Sequence, residues 1–541
     1  MRLARVPHDV FAHGVPVACW PETVRRRWFI GGLYGVVFAL LAVPIFSVTV
    51  PPLVDYPNHL ARMHILAAYA TSPELQANYV VAWKIAPYLA MDLIIPLLAR
   101  FMSIYTAGQV FLYDCLLQFV IGTAAIHAAL YRRLSPWPVA SALFAYSFVV
   151  SYGFVNYVFG VGVWLLAFAG WIVLSRGLAR WRILAGSVLS LAVFFSHYFA
   201  FFGYMLCVGA YEFGVWLSGR QRTVASLLGR GFVAFCPFGM PLAIFVAASQ
   251  GQEGGVTLYA TAYGWMIAML SPLVFLGAPF NAVVLAVALI IPARRGLLGR
   301  MRVPPAMWGP LIALGVAAIA MPNALFGVWG VDYRLPIVFV FLAIAACSWR
   351  TVPGRVEALL ACGMVTVLTV NMAEIVYVWR PIGRQFDEFR AALAVIPPGA
   401  RVIAFRDTDG IDPALSHEPA ALYDHLATLA IVERDAYVPF LFKHKMMPVE
   451  AAPALRPYGT AIGQTIGLRD MIDGADPVKG PAMLGTPSTM GMHNYWGDWP
   501  RHYDYAIELS FGARPALPTG LERVRPGGFF NIYRIGHQGQ R

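Results

Sequence analysis

Residues 87–103, PYLAMDLIIPLLARFMS, decide how this chain is threaded. By length and apolar content the segment reads as a membrane span. Asp92, Pro96 and Arg100 interrupt it, and an unpaired charge at mid-membrane costs about 2.5–3.5 kcal/mol. Counting it as a crossing would also invert every later loop and put nearly all the arginine clusters outside. Left as a helix lying on or dipping into the outer interface, it returns those clusters to the inner side, where the positive-inside rule expects them.

Upstream, Arg25–Arg27 precede the apolar stretch Trp28 to Val50, which is longer than a signal-peptide core, has no small-residue cleavage site and is followed by Pro51-Pro52. It reads as a retained anchor, with a cytoplasmic tail over 1–27 and Pro51 emerging outside. Downstream, spans are expected at 107–131, 137–151 and 157–175. The block 183–217 is too long for one crossing and reads as two helices turning at His197-Tyr198. Further spans follow at 231–249, 263–292, 307–322, 333–349 and 356–378. The expectation is an α-helical polytopic membrane protein with about 11 transmembrane helices over 28–379, a large external loop over 51–106, and an external α/β domain over 380–541. In that domain RVIAF, YDYAIEL and FFNIYRI read as strands and His417 to Arg434 as a helix.

Composition agrees. Apolar residues make up 59% of the 541 and charged ones 13%, against about 45–50% and 25% in soluble domains. The net charge of +12 comes mostly from arginine clusters between hydrophobic blocks, which argues for a lipid bilayer partner and against nucleic acid. The six cysteines show no CxxC pattern, and none falls in the C-terminal domain.

The densest polar signal is Pro51-Pro52-Leu53-Val54-Asp55-Tyr56-Pro57-Asn58-His59-Leu60-Ala61-Arg62. Prolines fix φ and stop the preceding helix, so Asp55 is pinned just above the bilayer. Capping of the next helix accounts for one Asx residue, Asp55 or Asn58. It does not account for Asp, Asn, His and Arg within eight residues. His59 to Tyr69 is amphipathic and reads as a helix resting in the headgroup layer.

An acidic residue in a long first external loop, interfacial helices before the second span, roughly eleven spans and an external C-terminal domain together resemble the GT-C superfamily of membrane glycosyltransferases. That resemblance implies transfer of a sugar from a polyprenyl-phosphate carrier to a glycan, lipid or protein acceptor, at the outer face of a bacterial inner membrane. It implies Asp55 as the general base. Many members carry a paired acidic motif in this loop, whereas here Tyr56 and Pro57 follow Asp55. No cofactor is fixed by the sequence, and a divalent metal is left open.

The leaving phosphate needs a cation, and a bidentate arginine suits it best. Arg334, at the outer mouth of a late span beside Asp332, is the first candidate, with His59, Arg62 and His197 as further donor contacts and Lys84 as a weaker one. Trp496 and Trp499, in an aromatic run, and Glu253, in a glycine-rich loop, are candidates for the acceptor. The competing readings are a transporter or flippase of a lipid-linked precursor, an O-antigen polymerase or ligase, and a non-catalytic scaffold. No repeated halves of the kind transporters show are present.

Overall fold

The computed structural model describes residues 20–220, 222–249, 257–276, 301–325, 328–349, 354–407, 420–442, 447–459, 465–483, 494–510 and 517–536. Seven described helices are long and apolar enough to cross a membrane: Arg26–Phe46, Ile104–Tyr131, Val155–Leu174, Ala179–Ser196, Tyr198–Ser218, Val224–Ser249 and Val356–Val395. Four shorter apolar helices accompany them, at Leu89–Leu98, Ala262–Leu273, Pro305–Ala320 and Arg334–Ala346. The two helices expected within 183–217 meet at His197, which caps the second by accepting the backbone N–H of Phe199 at its Nδ1. Most of the expected return span 263–292 lies outside the described residues.

Residues 137–151 depart from a single span. They form a 3-10 helix, Trp137–Phe144, and one α-turn, Phe148–Ser151. Pro136 and Pro138 start the segment without backbone donors, and its residues from Pro138 to Ser151 are buried against Ile104–Tyr131, Arg334–Ala346 and Gly354–Ala392. Irregular backbone is tolerated at membrane depth where protein encloses it. Trp137 Nε1 reaches the Ile344 carbonyl at 2.9 Å and the Tyr146 hydroxyl that of Leu41 at 2.8 Å, supplying ties that a longer helix would have made internally.

The segment that decided the threading folds as Leu89–Leu98, ten residues and about 15 Å long, half the thickness of a hydrocarbon core. Its Asp92 is not unpaired: Arg62 Nη2 lies 2.9 Å from Asp92 Oδ1, and both side chains are enclosed. Arg62 sits on the Tyr56–Ala68 helix, the one expected to rest in headgroups. That helix is instead sandwiched in protein, with every residue from Tyr56 to Met63 buried. It packs on Leu89–Leu98, on Ile104–Tyr131 and on Leu429–Arg434 of the C-terminal domain. An amphipathic pattern fits a lipid surface and a protein surface equally, and here protein covers both faces.

The last membrane-length helix, Gly354–Ala392, runs on past the expected boundary at 379 into the C-terminal region. There a mixed five-stranded sheet has Val402–Asp407 near its centre, parallel to Ile466–Gly467 on one side and to Tyr505–Ser510 on the other. Phe530–Ile535 and then Leu521–Pro526 extend it antiparallel. The expected strands are present. Leu521–Pro526 forms an exposed edge carrying Glu522, Arg523 and Arg525 with a register shift between the two arginines, and charge and irregularity of this kind discourage pairing with another chain. Of the expected helix at 417–434, the part before 420 lies outside the described residues; the rest is 3-10 turns followed by the short helix Leu429–Arg434.

The first loop and the C-terminal domain form one unit. Tyr79–Val81 pairs antiparallel with Val449–Ala451. The Tyr79 hydroxyl donates to the Ala436 carbonyl at 3.2 Å and accepts from the Val438 N–H at 3.1 Å. Lys84 pairs with Glu450 at 2.9 Å beside that ladder.

Candidate functional site

Asp55 occupies the N-cap position of the Tyr56–Ala68 helix, yet its side chain makes no capping hydrogen bond. Asn58 caps nothing either: its amide is spent on the C-terminal domain. The backbone around Asp55 is held from elsewhere. The Val54 and Asp55 N–H groups donate to the Ser151 and Tyr152 carbonyls at 3.2 and 3.0 Å. Gly153 follows with φ +87°, and a Cβ there would lie 2.7 Å from the Asp55 nitrogen. Only glycine lets the turn come this close in that conformation.

With capping excluded, the Asp55 carboxylate is free to face the domain. One oxygen, Oδ1, lies 3.4 Å from His425 Nε2. His425 is 4% exposed, between two 3-10 turns. No described residue donates a hydrogen bond to Asp55 Oδ2. Asp424, next in the chain, is paired with Arg406. Burial pushes the Asp424 carboxyl up, while Arg406 and His425 pull it down and Asp55 adds to the rise. Two carboxylates, Asp55 and Asp424, thus feel each other's charge across the junction, and both act on the Tyr152 hydroxyl. Among the described residues no cluster of three or more His, Cys, Asp or Glu side chains could hold a metal ion.

Arg334 begins the Arg334–Ala346 helix and is 7% exposed. Its guanidinium carbon stands 4.7 Å from the ring centre of Phe199, 5.0 Å from Phe154 and 5.7 Å from Tyr157. No described carboxylate comes within 4 Å of it. Asp332, its expected partner, accepts from Asn323 at 3.2 Å and from the Tyr333 N–H at 3.1 Å instead. The Arg334 Nε has no hydrogen-bond partner, and Nη2 has a long contact of 3.4 Å to the Trp329 carbonyl. The charge of Asp55 bears on Arg334 more than that of Asp332 does. A buried guanidinium with an unused donor and no counter-ion is costly unless an anion meets it.

His197 shares this aromatic enclosure. Its ring centre is 5.3 Å from that of Tyr157 and 6.0 Å from that of Phe199. His59 donates its backbone N–H to the Asp55 carbonyl at 3.1 Å, with its ring 5.4 Å from Phe442 and its Nδ1 without a partner. Burial, with Arg62 and His425 adding to it, holds the His59 imidazole well below its usual range, so it is neutral and offers no cation for a phosphate. His197 and Arg334 therefore share one aromatic enclosure, the Asp55 charge reaches Arg334, and His59 adjoins Asp55 through the helix turn, whereas Arg62 is committed to Asp92.

The aromatic run does not form a platform. Trp499 is fully buried and its Nε1 donates to the Met471 carbonyl at 2.7 Å, and Trp496 is 4% exposed. Neither ring has a face open to a sugar; both pack in the domain core, the other common use of large rings. Glu253 lies outside the described residues. The residues that sequence reasoning missed are His425, Asp424 and Arg406, which stand on a different domain from Asp55 and share no local motif with it.

Neither known protein families nor curated proteins show a match to this chain. By its own architecture it is a polytopic helical protein with apolar helices suited to a bilayer and a small mixed sheet at its C-terminal end.

Proposed function

We propose that the chain is a membrane glycosyltransferase that moves a sugar from a polyprenyl-phosphate carrier to an acceptor hydroxyl, with Asp55 as general base. The observation that carries this reading is two unsatisfied groups of opposite charge, one of which feels the other. Among the described residues Asp55 is an uncapped carboxylate with one oxygen undonated, and Arg334 is a buried guanidinium with no carboxylate within 4 Å. The acceptor oxygen attacks the anomeric carbon and Asp55 takes its proton. The bond from that carbon to the phosphate oxygen breaks, and the charge left on the polyprenyl phosphate is offset by Arg334. The aromatic enclosure of Phe154, Tyr157 and Phe199 keeps water from the cation and strengthens its hold on an anion.

This reading includes about eleven crossings, among them the irregular segment 137–151 and the shorter apolar helices other than Leu89–Leu98, with the N-terminal tail in the cytoplasm and the C-terminal domain outside a bacterial inner membrane. The arginine distribution supports that orientation. The test is transfer from radiolabelled polyprenyl-phosphate sugars in proteoliposomes, wild type against Asp55→Asn. Loss of transfer by at least about a hundredfold is expected for removal of a general base; a variant as fast as wild type removes Asp55 from the chemistry.

A further inference from the structure

The Asn58 amide has only one workable orientation. Its Oδ1 accepts the Phe442 N–H at 2.8 Å and its Nδ2 donates to the Phe440 carbonyl at 2.9 Å. A flipped amide would set donor against donor and acceptor against acceptor, so the two backbone groups fix it. The second Nδ2 hydrogen then meets His425 Nδ1 at 3.2 Å. An amide nitrogen only donates, so Nδ1 accepts and carries no proton. The ring proton is on Nε2, the atom that lies 3.4 Å from Asp55 Oδ1.

The ring itself has little freedom. Phe442 packs against it with centres 4.8 Å apart, and the Thr428 hydroxyl and N–H close the local turn on the His425 carbonyl at 2.6 and 3.0 Å. The other charged or titratable groups around Asp55 are Asp424 with its partner Arg406, Arg334, His59 and Tyr152. None of them hydrogen-bonds to its carboxylate, and His425 Nε2, at 3.4 Å, makes a contact that falls short of hydrogen-bond geometry.

We propose that His425 is the positioning residue of this site, presenting Nε2–H to the Asp55 carboxylate from the C-terminal domain in a tautomer imposed by Asn58, so that the 3.4 Å contact closes to a hydrogen bond when the carboxylate turns toward it. The inference rests on Asp55 being the base. It makes the domain part of the reaction centre: a carboxylate that can rotate presents its free oxygen in many directions, and one drawn to His425 at Oδ1 presents Oδ2 in one. A neutral imidazole does this without adding a net charge beside the acceptor.

The experiment has three readouts. In wild-type protein, nitrogen-15 solid-state NMR, with the His425 signal assigned by its loss in His425→Gln, is expected to show the Nε2–H tautomer; an Nδ1–H tautomer overturns the proposal with no reference to activity. In the transfer assay, His425→Leu is expected to lower kcat at least about tenfold with little change in KM. His425→Gln offers an acceptor and a donor at nearly the same spacing, and is expected to recover most of that loss. Carbodiimide labelling of Asp55 at one fixed pH, read by peptide mass spectrometry, is expected to differ in rate between wild type and His425→Leu, because the Leu variant leaves the carboxylate without its neighbour on the domain side. A Leu variant with wild-type kcat and wild-type labelling overturns the proposal, as does a Gln variant as impaired as Leu. If no donor sugar is transferred by wild type, the glycosyltransferase reading fails, and the tautomer and the labelling rate still decide whether His425 acts on Asp55.

Discussion

The backbone N–H of Asp55 donates to the carbonyl of Tyr152 at 3.0 Å, so the acidic residue of the first loop hangs from a turn between two later membrane segments. Its position is set by that turn as much as by the prolines beside it. Gly153 is the element that permits the approach.

Gly153→Ala places a Cβ 2.7 Å from the Asp55 nitrogen and 3.0 Å from its Cβ, at φ +87°. The backbone conformation alone costs about 1–2 kcal/mol, a modest loss for the whole fold. The expected result is a protein that elutes as wild type in detergent but transfers sugar at least about tenfold more slowly, as misplacement of a reacting group does. Wild-type transfer would mean that this turn does not set the position of Asp55.

For Arg334, equilibrium binding of a polyprenyl phosphate to detergent-solubilised protein is the measurement. Arg334→Gln removes the guanidinium from the enclosure of Phe154, Tyr157 and Phe199, and affinity should fall by at least about tenfold. Arg334→Lys should recover little, because an ammonium neither stacks on the rings nor offers a planar pair of donors. Equal affinity in all three proteins would place the phosphate elsewhere.

Asp92→Asn tests the enclosed pair at the centre of the loop. Arg62 Nε and Nη2 both donate to Asp92 Oδ1, at 3.1 and 2.9 Å. Breaking such a pair from one side costs about 3–5 kcal/mol, more than replacing both partners with apolar residues. Thermal unfolding in detergent should therefore show Asp92→Asn less stable than the double replacement Arg62→Met/Asp92→Leu. The reverse order would show that the pair is not buried as described.

Acid should loosen the contact between loop and domain. Burial raises the Asp435 carboxyl, but hydrogen bonds from His64 at 2.7 Å and Ser72 at 2.8 Å outweigh it, and its net shift is downward. A lowered folded value means that the unfolded chain takes up the proton first. The stabilisation is then present above the ordinary aspartate value of about 3.9 and is lost as pH falls through the folded value. Amide exchange over residues 56–68 is expected to rise in that range for wild type and to show no such step in Asp435→Asn. Identical pH profiles would remove Asp435 from the clamp.

Orientation has its own check. Alkaline phosphatase fused after Pro397, beyond the Gly354–Ala392 helix, should be active in a bacterial host. An inactive fusion would reverse the topology and with it the placing of Asp55 and Arg334 on the outer side.

Much of the architecture is legible in the sequence because it follows from local chemistry. Arginine clusters, apolar run lengths and the polar break at His197-Tyr198 give the hairpin 179–218, and β-branched and aromatic runs give the three principal strands. Asp55 stands out because prolines and polar residues crowd around it. The helix after it is misread for a physical reason: apolar spacing on one face says that something apolar covers it, but not whether that is lipid or the Leu429–Arg434 helix. The segment 137–151 is apolar enough to be a span, and only its neighbours decide that it is a 3-10 helix. His425 is illegible because its bond to Asn58 closes over 367 residues, beyond any periodicity or motif. The Trp496–Trp499 run is ambiguous by nature, since rings that stack on sugars and rings that fill cores look alike.

That separation along the chain also sets a clock. Asn58 finds His425, Phe440 and Phe442 only after 367, 382 and 384 further residues have been made. At ribosomal rates of about 5–20 residues per second, the wait is roughly 20–75 seconds. Through that interval Asp55 has its tie to Tyr152 but lacks every contact from the C-terminal domain. The stretch from His425 to Phe442 is what joins the first loop to the C-terminal domain, so a chain truncated before Phe442 is expected to insert and yet never complete that junction.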